Sequence, residues 1–142
     1  MLGWLWRASD RLRQARESRA LHPDRALGRL GEDLAHRHLQ RQGLVVCARN
    51  YRSPAGHEID IVAWEGDTLV FVEVKTRTSD EHAAPDRAID RDKLKRISRA
   101  AWHYARMANA DWNKTRIDVV SVVLRNPPEI LRERDVYRPT FP

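Results

Sequence analysis

Residues 56–75 read Gly-His-Glu-Ile-Asp-Ile-Val-Ala-Trp-Glu-Gly-Asp-Thr-Leu-Val-Phe-Val-Glu-Val-Lys, and they set Glu58, Asp60, Glu73 and Lys75 into two apolar runs joined by Gly66-Asp67. Charge is costly in such a setting. Two strands around a two-residue loop that begins with glycine predict a β-hairpin. With Gly66 and Asp67 as the loop, Asp60 faces Glu73 and Glu58 faces Lys75. Opposed residues of an antiparallel pair share a face, with Cβ atoms about 4.5–5.5 Å apart. Two carboxylates so placed repel unless a proton or a cation lies between them, and a hard divalent ion with oxygen ligands is the usual reason for the pairing. The hairpin therefore reads as half of a Mg²⁺ or Mn²⁺ site.

Period-2 alternation puts Lys75 on the face of Glu73 and turns Val72 and Val74 to the other. A metal, two acids and an ammonium are the parts needed to hydrolyse a phosphodiester: the ion polarises a phosphoryl oxygen and acidifies a bound water, and the lysine orients that water or neutralises developing charge. The competing reading is structural, a Glu58–Lys75 ion pair beside an Asp60–Glu73 pair sharing a proton.

Asp60 followed by Glu73-Val74-Lys75 resembles the D…ExK core of the PD-(D/E)xK nuclease superfamily, which includes archaeal Holliday-junction resolvases and many restriction enzymes. Further motifs narrow the resemblance to the YraN-like family of small bacterial proteins. These are the Gly28 to Glu32 helix segment, Arg49-Asn50-Tyr51-Arg52, Gly56 to Asp60, Val70 to Arg77, and Asp118-Val119-Val120. The resemblance spans roughly residues 25–125 and departs in one respect, since Ile59 rather than proline precedes Asp60. It implies a restriction-endonuclease-like α/β fold, an αβββαβ sandwich whose central mixed sheet is flanked by helices. For the site it implies Asp60 and Glu73 as ligands of Mg²⁺ or Mn²⁺, the Val74 carbonyl as a candidate third oxygen, Lys75 as the water-orienting group and Glu32 as an assistant in ligation or proton transfer. Glu58 stays open, as a further ligand or as the partner of Lys75. Resolvase-like nucleases cut as dimers, so a homodimer is implied as well.

A length of 142 residues suits one domain with its own core. A formal net charge of +6 favours a polyanionic partner, with nucleic acid, DNA ahead of RNA, and an anionic membrane surface as the two candidates. Cys47 is the only cysteine, which excludes an intrachain disulfide and a cysteine-based zinc cluster, and its apolar neighbours predict an inert buried thiol. The six histidines lack metal-ligand spacing. No apolar run approaches the roughly 18 residues of a membrane span. A reducing cytoplasm is the expected compartment.

Residues 1–24 read as an appendage, with an apolar tip of Leu2, Trp4, Leu5 and Trp6 followed by five arginines, suited to a membrane surface, a partner or a phosphate backbone. Residues 25–142 form the nuclease-like domain. A helix is predicted from Asp24 to about Gln42, with Gly43 as its C′ residue and Leu27, Leu30, Leu34, Ala35 and Leu39 as its buried face. Small neighbours of Glu32, Gly28 and Ala35, would let the helix approach the sheet and bring Glu32 toward the metal, as the resemblance to resolvase-type nucleases implies; a solvated glutamate in the first turns, favoured by the helix dipole, is the alternative. A strand from Leu44 to Arg52 precedes the hairpin, and Asp80 to Arg87 reads as a loop. A second helix is predicted from Ile89 to Asn109, burying Leu94, Ile97, Ala101, Tyr104 and Ala108 and presenting Lys95, Arg99, His103 and Arg106 as a basic stripe. Arg49, Arg52, Arg77, Lys95, Arg99 and Arg106 are the candidate phosphate contacts. Trp102 and Trp112 suit either base stacking or packing. Arg116 to Leu124 reads as a strand buried on both faces, with Asp118 either supporting the site or pairing with Arg116. Glu129 to Pro142 is a short edge strand or a tail.

The sequence thus predicts a metal-dependent, endonuclease-like protein acting on phosphodiesters, with branched DNA as one substrate form. A non-catalytic nucleic-acid-binding module and a partner- or membrane-docking protein that uses the N-terminal arm are the alternatives.

Overall fold

The structure, a computed structural model, describes residues 23–78 and 91–138. The N-terminal arm and the loop expected at Asp80 to Arg87 therefore lie outside the described residues. Two helices and five strands follow in the order α1 (Pro23–Arg41), β1 (Val45–Arg52), β2 (Glu58–Glu65), β3 (Thr68–Thr78), α2 (Arg91–Met107), β4 (Thr115–Leu124) and β5 (Glu129–Tyr137). The sheet has the same order, β1 to β5, and only the β3–β4 pair is parallel. A parallel step needs a crossover connection, which α2 supplies. The result is the expected mixed sheet with helices on its two faces.

Apolar periodicity explains the layering. Ala35, Leu39, Leu44, Ile61, Ala63, Val70, Val72, Val120 and Val122 form the core between α1 and the sheet. Phe71, Leu69, Val62, Ile59 and Ile117 meet Ile97, Ala100, Ala101 and Ala105 of α2 on the other face. The amino-terminal halves of β3 and β4 are covered on both faces, which is why they read as near-continuous apolar runs. Helix α1 ends as expected at a left-handed Gly43 (φ 92°). The Leu44 N–H reaches the Leu39 carbonyl and the Gly43 N–H that of Gln40, the paired bonds of a Schellman cap.

The buried face of α1 differs from the expected one. Leu27 and Leu30 are exposed, and the stripe against the sheet runs through Gly31, Ala35 and Leu39. Gly31 explains this rotation: a Cβ there would lie 1.8 Å from Thr76 Oγ1 of β3, so only glycine allows the approach. In α2, Ile97 and Ala101 are buried as expected, Leu94 is half-buried and Ala108 is exposed. His103 is withdrawn from the predicted basic stripe, because its Nδ1 pairs with the Tyr51 hydroxyl. Trp102 and Trp112 pack edge to face at 5.1 Å, with the Arg106 guanidinium over the Trp102 ring. They are packing groups here. Cys47, half-buried, contacts the Val62 carbonyl and the Tyr104 hydroxyl, and burial raises its thiol.

β5 is a full edge strand of nine residues. It is clamped by Asp118, which is fully buried and accepts bonds from Arg116, Arg132 and the Asp135 N–H. Glu65 adds ion pairs to Arg116, Arg132 and Arg134. Asp118 thus takes the structural role of partner to Arg116 and of anchor for β5.

Candidate functional site

The hairpin forms in the expected register. Glu65 pairs with Thr68 across Gly66-Asp67, and the ladder continues to Ile61↔Val72. There it stops. Strand alternation breaks at the same level: Ile61 joins the core under α1, yet Ile59 joins the core under α2. In the neighbouring strand Asn50 takes a left-handed backbone (φ 50°), between the pairs Arg49↔Ile61 and Tyr51↔Ile59. The two kinks lie side by side and release Asp60 from the ladder. Its Oδ2 accepts the Val74 N–H at 2.8 Å.

Asp60 therefore meets Glu73 as expected, although not through a regular cross-strand pair. Glu58 and Lys75 do not meet, because β2 has left β3 before that position. Glu58 instead accepts two bonds from Arg52, at 3.2 and 2.7 Å, on the exposed surface. The cross-strand facing of Glu58 and Lys75, and with it the competing reading of Glu58 as the partner of Lys75, is corrected accordingly.

Glu32 arrives from α1 through the Gly31 approach. It lines one hollow of about 370 Å³ with Asp60, Glu73, Val74 and Arg77. Three acids thus converge. Burial lifts Asp60 to about 8, aided by the negative charge of Glu73 and, more weakly, of Glu32. Glu32 is raised by burial, against the opposing pull of an Asn50 side-chain hydrogen bond and of Arg49. On the other side Lys93 of α2 forms an ion pair with the largely buried Glu73. Neither Asn50 nor Lys93 was singled out from the sequence. A left-handed asparagine in a strand leaves only the weak signal of Asn within an otherwise strand-like run, and Lys93 is one of several bases in its helix.

Lys75 lies on the Glu73 face of β3 but lines an adjoining hollow with Val119, Ser121 and Leu131, linked to the first through Arg77, which lines both. Of the candidate phosphate contacts, Arg49 is turned inward onto Asp33 at 2.6 Å and Glu32 at 3.5 Å. Arg52 stands at the surface with Glu58, Lys95 and Arg99 are exposed on α2, and Arg106 covers Trp102.

An all-oxygen set of Asp60 and Glu73, with Glu32 beside them, has the chemistry of a hard divalent site. Among the described residues no group of three or more His, Cys, Asp or Glu side chains is arranged to hold an ion by itself. The fit is that of two carboxylates, with the remaining positions left to water and phosphate, a usual arrangement for Mg²⁺.

Fold and site together define an α/β sandwich with an acidic groove at the carboxyl end of its central parallel pair. The sequence profile described as Uncharacterised protein family UPF0102 matches residues 31–122, and the chain belongs to that family, the same one as the YraN-like family of the sequence resemblance. A UPF0102 protein of Solibacter usitatus is 50% identical over 131 residues, 92% of this chain and 95% of the relative. One of Dictyoglomus thermophilum is 38% identical, covering 76% of this chain and 91% of the relative. One of Rhodococcus opacus is 41% identical, covering 79% and 96%. Among the described residues no helix is long and apolar enough to cross a membrane.

Proposed function

We propose that this protein is a Mg²⁺- or Mn²⁺-dependent nuclease that hydrolyses phosphodiester bonds, DNA before RNA. The observation that carries the reading is the convergence of Asp60, Glu73 and Glu32 in one groove, with the Asp60 carboxyl raised by burial and by its acidic neighbours. Such a cluster strains the fold unless a cation relieves it, and strongly perturbed acids in a cleft mark functional sites. A divalent ion bound there supplies polarisation of the phosphoryl oxygen and a more acidic water.

The remaining roles belong to the chain. Asp60 and Glu73 would hold the ion, with the Val74 carbonyl as a candidate third oxygen; Val74 is fixed by its N–H bond to Asp60. Lys93, the ion-pair partner of Glu73, hands over that carboxylate and turns to phosphate. Lys75, two residues along the same face, orients the attacking water from the adjoining hollow. Glu32, held by Asn50 and Arg49, takes or returns a proton. Arg77 binds a flanking phosphate.

The second reading, a nucleic-acid-binding module with a vestigial site, is favoured by the Lys93–Glu73 ion pair, which neutralises one acid without metal. One assay separates the two. Purified protein with Mn²⁺ is offered branched, flapped and single-stranded DNA and RNA. Cleavage abolished by Asp60→Asn and Lys75→Ala, with binding retained, is the expected result. Binding of several substrates with no cleavage by wild type would replace the nuclease with the module.

A further inference from the structure

The acid pair is reached from two sides. The α1-side hollow of about 370 Å³ and a second, α2-side hollow of about 300 Å³ share Asp60 and Glu73 and no other residue. The two acids are therefore the common floor of one groove that crosses the end of the sheet. Its α1 end reaches Leu27 and Gly28, and its α2 end reaches Lys93 and Arg96. Both residue pairs lie in the first two turns of their helices, so the N-terminal parts of both helices border the groove.

The ends differ in lining. At the α2 end stand Arg52, His57, Lys93 and Arg96 beside Glu58. At the α1 end stand Arg77 and the hydroxyl residues Thr76 and Thr78, beside Glu32. Among the described residues neither end is lined by Phe, Tyr, Trp, Asn or Gln. Bases laid in it would find, among the described residues, only the His57 ring and guanidinium planes to stack on and no bidentate amide, whereas phosphates would find cations at both ends. The ion pair of Lys93 with Glu73 gives the reach: an ammonium that touches this carboxylate can touch a phosphate oxygen above the same floor.

We infer that the groove takes a single-stranded stretch of nucleic acid laid across the acid pair and held chiefly through its backbone. Lys93 and Arg96 hold the phosphate on one side of the scissile position, and Arg77 holds the phosphate on the other. Placing the scissile phosphate over Asp60 and Glu73 rests on the nuclease reading; the binding path does not. Each hollow is at the small-ligand end of the cavity range, room for a short piece of one strand. A groove with cations at both ends and acids between them matches one backbone threaded over the floor, and a duplex would bring a second backbone for which it offers no second track.

The test uses the full chain in EDTA, so that nothing is cut. Fluorescence anisotropy follows labelled oligothymidylate, labelled oligoadenylate and the duplex they form, over a salt series. Wild type is expected to bind the two single strands about equally and both more tightly than the duplex. Arg96→Ala and Lys93→Ala should each weaken single-strand binding and reduce the log–log salt slope by about 0.7, the value of one released single-strand contact. Arg96→Lys should restore the slope. Lys114→Ala, at the hairpin end of the sheet, should behave as wild type. Circular dichroism confirms that each variant is folded. An Arg96→Ala protein with wild-type affinity and slope, or a duplex bound as tightly as its strands, would overturn the inference. Cleavage plays no part in this readout, so a protein that cuts through its acids while ignoring Arg96 loses the groove and keeps the nuclease.

Discussion

Asp60 accepts the Val74 N–H at 2.8 Å just beyond the last ladder pair of the hairpin, Ile61↔Val72. A side-chain carboxylate, in place of a main-chain carbonyl, thus ties the parted strands together at the groove floor. The acid has a structural duty beside the chemical one proposed for it, and its titration would couple the two.

That coupling gives a pH signature. An unfolded Asp titrates near 4, whereas burial and the Glu73 charge raise Asp60 to about 8. Between those values the folded protein keeps a proton that the unfolded chain has released. This group's contribution to stability is therefore full below about pH 4 and is lost as pH rises to about 8. Asp60→Asn keeps an acceptor for the Val74 N–H and removes the charge. In EDTA it should melt above wild type at pH 8, with the gap closing toward pH 4. Thermal melts followed by circular dichroism check this, at roughly 4 °C per kcal/mol for a domain of this size. A gap independent of pH would place the strain elsewhere.

Metal binding should depend on the acids that converge and not on the one that was expected to. Mn²⁺ titrated by isothermal calorimetry should bind wild type weakly, since few protein oxygens complete its shell. Asp60→Asn and Glu73→Gln should each lose the signal. Glu58→Gln should keep it, because Glu58 is committed to Arg52 at the surface. Loss of binding in Glu58→Gln would return that residue to the ligand set.

Gly31→Ala should be destabilising by about 1–3 kcal/mol in urea unfolding, the usual range for overpacking. The new methyl would meet Thr76 Oγ1 at 1.8 Å and Cγ2 at 2.7 Å. Thr76→Ala removes both atoms and should recover part of the loss when combined with it. Additive effects of the two substitutions would show that the helix does not press on that side chain.

Asn50 combines a left-handed backbone with a hydrogen bond to Glu32. Asn50→Gly should keep the fold's stability within about 0.5 kcal/mol, since glycine takes that conformation freely. Asn50→Ala should cost about 1–2 kcal/mol more, the penalty for a left-handed alanine. Urea unfolding of both variants decides it, and equal stabilities would mean that the backbone at residue 50 relaxes.

The hairpin, its register and the helix ends were legible from the sequence because each follows from local rules: Gly66-Asp67 fixes a turn, alternation fixes faces, and Gly43 stops a helix. The Asp60–Glu73 encounter was legible for the same reason. Its mode of assembly was not, since the kinks at Asn50 and Asp60 are cooperative events of two neighbouring strands. Regular alternation, extended past Ile61, brought Glu58 wrongly onto Lys75. The turn of α1 that exposes Leu27 and Leu30 was likewise hidden, because hydrophobic periodicity has no way to register that Gly31 is wanted against Thr76. Lys93 and Arg96 were invisible for a different reason: a base on a helix acquires meaning only from what the crossover places beneath it.

The Asp118 cluster bears on how this chain stays separate from its own kind. An edge strand with free N–H and C=O groups is a template for growth by strand addition. Here β5 carries Arg132, Glu133, Arg134 and Asp135 in succession, and a register shift opposite Ile117 and Val119 puts the left-handed Asp135 over Asp118. A strand arriving at that edge would meet a bent ladder and a row of charges. Any second copy of this chain is thus steered away from joining sheets through β5, by a bend that one buried aspartate holds in place.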